Sequence, residues 1–211
     1  MRRQHVQPSG GGFPTGLRFY APLSSTSDTM DHVSGISPTN GTAQISWDNA
    51  EGAFHVATTA PGQLAWIYNI PNVNVYAEPY RYTVVARVKI NSFTGTADIL
   101  TVGKTGNEGT SSAFMETHRH TGITTGSWHT IAMTLNNHAL TFYLNGSVVR
   151  TSTTPSNYAS CYPGNWSTND KKNNITVCGG FINAGNYHYD IYIRDVMVFE
   201  RCLTQSEIQQ L

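Results

Sequence analysis

From Tyr82 to Ile90 apolar and polar positions take turns: Val84, Ala86, Val88 and Ile90 fall on one side of an extended chain, and Thr83, Val85, Arg87 and Lys89 on the other. A period of two sends successive side chains to opposite faces, which is the pattern of a half-buried β-strand. The pattern recurs: Ile131, Met133 and Leu135 alternate with Ala132 and Thr134, and Leu140, Phe142 and Leu144 with Thr141 and Tyr143. Asn145-Gly146 then supplies residues that tolerate positive φ, as a two-residue hairpin turn requires, and Ser147 to Val149 restarts a strand. Further strands are expected at 17–20, 44–47, 54–57, 64–67, 99–102, 113–117, 175–178 and 191–199. Many short strands between Gly, Pro, Asn and Ser turns predict an all-β, antiparallel two-sheet sandwich. One short helix is expected at the C-terminus, about two turns long. There Thr204 and Glu207 have the spacing of a capping box, and Leu203, Ile208 and Leu211 would pack on the sandwich.

Residues 1–15 are polar and Gly-rich without periodicity and are expected to form an extended arm; residues 16–211 are expected to form one domain. Charged residues make up 12% of the chain, against a usual ~25%. Lys plus Arg and Asp plus Glu each number 13, so the formal net charge is zero. A nucleic-acid binder needs a basic excess on one face, and a membrane span needs ~18 apolar residues in a row; neither is present in the sequence. The first twelve residues are basic without an apolar stretch, so no secretory signal is expected in them. Cys161, Cys178 and Cys202 are expected to be reduced, with Cys161–Cys178 the one pairing considered.

Several of these segments carry a family resemblance. Residues Gly16 to Leu23, the loop Asp28 to Gly35, the strand Tyr82 to Val88, Gly126 to Ala132, Leu140 to Gly146, and Tyr189 to Leu211 occur in that order. Together they resemble the laminin-G-like domain of the concanavalin A-like lectin/glucanase superfamily. Arg87 stands where that family usually has Trp. The resemblance implies a jelly-roll sandwich; it implies no activity, because the fold serves binding modules, adhesion modules, enzymes and phage structural parts alike.

Catalysis is not expected. The superfamily's glucanases place two carboxylates on one strand face across the scissile bond, and no strand here carries a Glu-x-Asp pair. A nucleophile elbow, a P-loop and a Cys-x-x-Cys are equally absent from the sequence. His118 and His120 would share a strand face and offer two metal ligands, but no third is placed, and a polar strand or loop face is the simpler expectation. Asp28 and Asp31 are candidate calcium ligands, and Asp190 and Asp195 flank the last expected strand; acids in such loops also cap turns by accepting backbone N–H groups. No cofactor is expected to be required, calcium being the one considered.

The candidate binding surface is the segment 156–174, which is longer than an ordinary connection. Tyr158, Tyr162 and Trp166 stand there among Asn165, Asp170 and other polar residues. Aromatic faces stack on sugar C–H faces and also anchor protein interfaces, and these rings could instead cover a sheet edge. Trp47 and Trp128 are expected to serve packing. Tyr187, His188, Tyr189 and Tyr192 cluster before and within the last strand; Tyr189 with Ile191 and Ile193 alternates with Tyr192, so one face of that strand is aromatic and polar, a ligand platform or a surface packed under the long loop. Four Asn-x-Ser/Thr triplets are what chance gives in so Ser-, Thr- and Asn-rich a chain.

Two roles are therefore expected. The first is a non-enzymatic virion-surface protein, a phage decoration, head-fibre or tail-fibre component. It would be made in the host cytoplasm and docked on other virion or surface proteins through Arg2, Arg3 and His5 of the arm. The alternative is a glycan-binding or adhesion module of a secreted bacterial protein, extracellular or on a cell surface. Glycans are candidate partners in both, and homo-oligomers are compatible with both; nucleic acid and membrane insertion are not expected.

Overall fold

The computed structural model describes residues 12–60, 63–69, 81–94, 98–103, 112–116, 123–136, 139–152, 174–178 and 188–211. Among these residues the strands are β1 (Leu17–Ala21), β2 (Thr39–Asn40), β3 (Gln44–Asp48), β4 (Ala53–Ala57), β5 (Trp66–Asn69), β6 (Arg81–Thr94), β7 (Asp98–Gly103), β8 (Ser112–Glu116), β9 (Trp128–Asn136), β10 (Ala139–Leu144), β11 (Ser147–Ser152), β12 (Asn174–Val177) and β13 (His188–Phe199). A helix, α1 (Gln205–Ile208), follows. The strands form two antiparallel sheets. One is eight-stranded in the order β11-β10-β9-β6-β13-β4-β3, with β1 also on β13; the other is five-stranded in the order β2-β5-β12-β7-β8. This is the expected all-β sandwich.

The alternating residues decide which face is buried. Val84, Val88 and Ile90 of β6, Ile131 and Met133 of β9, and Ile191 and Ile193 of β13 point inward to one core with Trp66 and Tyr68 of β5 and Ile175 and Val177 of β12. The sheets are joined by a file of rings: Trp47 meets Phe54 at 5.2 Å between centroids, and Phe54 meets Trp66 at 5.1 Å, both edge to face. Trp47 is thus a packing residue, as expected.

The strand β13 does not run through uninterrupted. Arg194 pairs with Arg87 and Met197 with Val85, so Asp195 and Val196 together face Ala86. Asp195 adopts φ 52°, a region that Asp tolerates better than most residues. The extra residue of this β-bulge keeps Val196 and Val198 inward, in step with Ile191 and Ile193. Asp190 and Asp195 therefore lie inside the strand rather than flanking it.

The β10–β11 turn is as expected, with Asn145 at φ 50° and Gly146 at φ 76°. Asn145 is fully engaged: its Oδ1 accepts from Thr130 N at 3.0 Å and its Nδ2 meets His129 Nδ1 at 3.1 Å. Gly146 also seats the C-terminus, since Gln205 and Gln209 donate to its carbonyl, and a Cβ there would stand 2.5 Å from Gln209 Cγ. The Thr204–Glu207 capping box is present, but the helix is four residues rather than two turns. Beyond it the chain closes with shorter-range bonds, Gln210 N to Glu207 O and Leu211 N to Ile208 O. Arg201 and the Thr204 cap hold the Glu207 carboxyl down at about 2.

Cys178 and Cys202 are free thiols. Complete burial pushes the Cys178 thiol far above its ordinary value. Cys161 lies outside the described residues.

Candidate functional site

The outward face of the eight-stranded sheet has two halves. On one half Tyr20, Val85, Ala132, Met197 and Phe199 form a second apolar cluster, sealed by Leu203 and Ile208 with Phe13, Leu17 and Leu211 around it. The Phe13 ring lies 4.8 Å from that of Tyr20, and Arg201 Nε donates to Thr15 O at 2.8 Å, so the chain preceding β1 is pinned there. The change of character falls at the β13 bulge. Beyond it the outward residues become Arg87 and Lys89 of β6, Tyr192 and Arg194 of β13, His55 of β4 and Trp128 of β9.

Strand register lines these residues up. Trp128 pairs with Lys89, Lys89 with Tyr192, and Tyr192 with His55, giving a row across four strands. The His55 and Tyr192 rings are 5.0 Å apart, and Lys89 Nζ stands 5.3 Å from the Tyr192 ring. The Arg194 guanidinium carbon lies 4.7 Å over the Trp128 ring, a cation–π contact.

Acids from the β3–β4 turn reach over the row. Glu51 accepts from Lys89 Nζ at 2.5 Å and from Trp128 Nε1 at 3.0 Å. Asp48 accepts from the backbone N–H groups of Ala50 and Glu51 and from the Tyr192 hydroxyl at 3.1 Å. At the far end Asp190 Oδ1 meets His55 Nε2 at 2.7 Å and accepts from Asn91 Nδ2 at 2.8 Å. The hydrogen bond from Lys89, with that from Trp128, holds the Glu51 carboxyl below the ordinary range. The backbone donors of Glu51 and Ala50 do the same for Asp48, with Tyr192 adding to them. Both acids are therefore ionised near pH 7, and their bonds are lost only as pH falls through the depressed values. Side-chain exposures of 19% for Lys89, 25% for Glu51, 30% for His55 and 40% for Asp190 leave the row reachable from solvent yet fixed in place.

Of the sequence-predicted site residues, Asp28 and Asp31 are among those described. Tyr158, Tyr162, Asn165, Trp166 and Asp170, the arm residues Arg2, Arg3 and His5, and His118 and His120 all lie outside the described residues. Asp31 and Asp28 are described, and they cap their loop. Asp31 Oδ1 accepts from Tyr20 N at 2.8 Å and Val33 N at 3.1 Å; its Oδ2 accepts from Ser34 N at 2.9 Å and from the Ser34 hydroxyl. Four protein donors thus occupy a fully buried carboxylate. Asp28 accepts from Ser24 and meets His32 Nε2 at 2.6 Å. A calcium ion needs free oxygens, and Asp31, with two protein donors on each oxygen, has none to offer. Among the described residues no cluster of three or more His, Cys, Asp or Glu could hold a metal.

Tyr192 was legible as the residue facing away from Tyr189, Ile191 and Ile193, and Tyr189 is buried with those two, 7% exposed. Trp128 is only half a packing residue, since its indole edge and one ring face belong to the polar row. Nothing local in the sequence joins residues 55, 89, 128 and 192.

A two-sheet antiparallel sandwich of this kind is a lectin-like fold. The chain belongs to the concanavalin A-like lectin/glucanases superfamily, whose laminin-G family model matches residues 68–209. Among curated proteins none matches the chain. Solved structures with the same fold include Trypanosoma rangeli sialidase in complex with 2,3-difluorosialic acid. It is 16% identical with TM-score 0.60, and the match covers 96% of this chain and 34% of that one. The type C botulinum neurotoxin, dependent on interaction with two ganglioside molecules for entering cells, is 13% identical with TM-score 0.62, covering 92% and 50%. The binding domain of botulinum neurotoxin DC in complex with rat synaptotagmin II is 13% identical with TM-score 0.58, with the same coverage. This chain thus spans between a third and a half of the length of these structures.

Proposed function

We propose that the protein is a non-catalytic carbohydrate-binding adhesion module whose ligand lies on the polar half of the eight-stranded sheet. The observation that carries this is the row Trp128–Lys89–Tyr192–His55, where ring faces stand among fixed donors and acceptors. Sugars present apolar C–H faces and hydroxyls together, and a site for them combines aromatic surface with a few convergent polar groups. The gangliosides of the type C botulinum neurotoxin and the sialic acid analogue of the sialidase are in keeping with that chemistry. Bond cleavage is left out of the proposal because a glycosidase needs one carboxyl kept protonated, and Asp48 and Glu51 are both held ionised. No cofactor is part of it.

The test is a glycan array probed with the protein and with Trp128→Ala. The expected result is saccharide binding that falls at least tenfold in the variant, for a stability loss of no more than about 2 kcal/mol, since the ring is half-buried. Unchanged binding in a folded variant would move the site off this face.

A finer proposal places the module on a virion surface, docked by residues 1–15. Its support is the pinning of Phe13 and Thr15 to the sealed half, which gives the preceding segment a fixed point of departure. Deleting residues 1–12 is then expected to leave a folded domain that no longer joins its particle. Incorporation of the truncated chain at normal occupancy would end the docking proposal.

A further inference from the structure

Two arginines face each other on the polar half. Arg87 of β6 and Arg194 of β13 are direct register partners on the outward face. Side chains so placed start ~5 Å apart at Cβ, and like charges in that position destabilise a sheet. Arg194 is held by Trp128 beneath its guanidinium and by Asp195, whose Oδ2 lies 3.6 Å from Arg194 Nε. The Nε atoms of both arginines are buried and outside any hydrogen bond, Arg194 having Asp195 at ion-pair distance only; among the described residues no carboxylate forms an ion pair with Arg87.

The acids nearby are committed elsewhere: Glu51 to Lys89 and Trp128, Asp48 to Tyr192 and its own turn, Asp190 to His55 and Asn91, and Asp195 to Arg194 and the Tyr20 hydroxyl. A partly buried guanidinium without an anion is costly, and a second one opposite it adds to the cost. Natural proteins retain such an arrangement where a ligand uses it.

We propose that Arg87 and Arg194 together hold the anionic group of an acidic saccharide, a carboxylate or a sulfate, bound on the polar half of the sheet. This rests on the glycan-binding reading above and narrows it. The guanidinium is a planar fork that matches a carboxylate or sulfate with paired N–H donors. The oxyanion takes donors from both arginines and removes their repulsion. The sugar ring then lies toward Trp128 on the adjoining β9 and Tyr192, two residues before Arg194 on β13. Neutral saccharides leave Arg87 unmatched and bind more weakly.

The test uses matched neutral, carboxylated (sialylated and uronate) and sulfated oligosaccharides on one array, with the full chain and with Arg87→Gln. The acidic members are expected to bind at least tenfold more tightly than their neutral counterparts, and Arg87→Gln to abolish that preference. Whichever acidic set binds more tightly identifies the anion. In the absence of saccharide, Arg87→Gln is expected to raise Tm by about 2 °C, because repulsion is relieved. Arg194→Gln gives the same loss of preference and serves if the first variant does not fold. Equal binding of neutral and acidic members, or an acidic preference untouched by both substitutions, overturns the proposal while the glycan-binding reading stands. An array on which no saccharide binds overturns both.

Discussion

Replacing Asp31 by Ala is expected to destabilise the fold by roughly 3–4 kcal/mol, more than most substitutions of a single loop residue. The carboxylate is fully buried, and both of its oxygens accept two donors each. Alanine leaves the N–H groups of Tyr20, Val33 and Ser34 without their acceptor, at about 1–3 kcal/mol for each that water cannot reach. The loss also opens an edge. Tyr20 gives its N–H to Asp31 and its carbonyl accepts from His32 N at 2.8 Å, so the loop stands in for a neighbouring strand along β1. Thermal unfolding monitored by circular dichroism should show Tm lower by roughly 10 °C. Chelation with EDTA should leave the native Tm unchanged, because the carboxylate has no acceptor position to spare. A Tm that rises with added calcium would contradict this assignment.

Trp66→Ala is expected to cost about 4 kcal/mol, the range for removing a large aromatic side chain from a core. Trp66 is 1% exposed and is the member of the ring file contributed by the five-stranded sheet. Its removal leaves Phe54 with Trp47 as its one remaining partner in the file and opens a cavity between the sheets where neither can collapse without shifting register. Trp66→Phe keeps an aromatic ring in place and should cost about half as much. Urea denaturation should show a lower midpoint at an unchanged slope, since the surface exposed on unfolding is nearly the same. A loss below about 1 kcal/mol would mean that the sheets are not joined through this file.

What was legible in the sequence was local. Alternation at residues 82–90, 131–135 and 140–144 located β6, β9 and β10, the Asn145-Gly146 pair located their hairpin partner β11, and Thr204 with Glu207 located the helix cap. Pairing was not legible. The strand β6 lies between β9 and β13, which come later in the chain, and only that order brings Lys89 between Trp128 and Tyr192. The bulge was hidden for a related reason. In a regular strand Asp195 would share the inward face of Ile191 and Ile193, and only a positive φ lets it step aside. Asp31 shows the limit of residue type, because one carboxylate serves equally as a metal ligand or as an acceptor for backbone N–H groups. Only the surrounding donors decide.

The place where a saccharide touches the protein is best read by nuclear magnetic resonance. An isotope-labelled chain is titrated with a saccharide that binds, while backbone amides and indole N–H groups are followed. Shifts concentrated at Lys89, Trp128, Tyr192 and Arg194 are the expected result. Shifts confined to Tyr158, Tyr162 and Trp166, with those four residues unmoved, would contradict it.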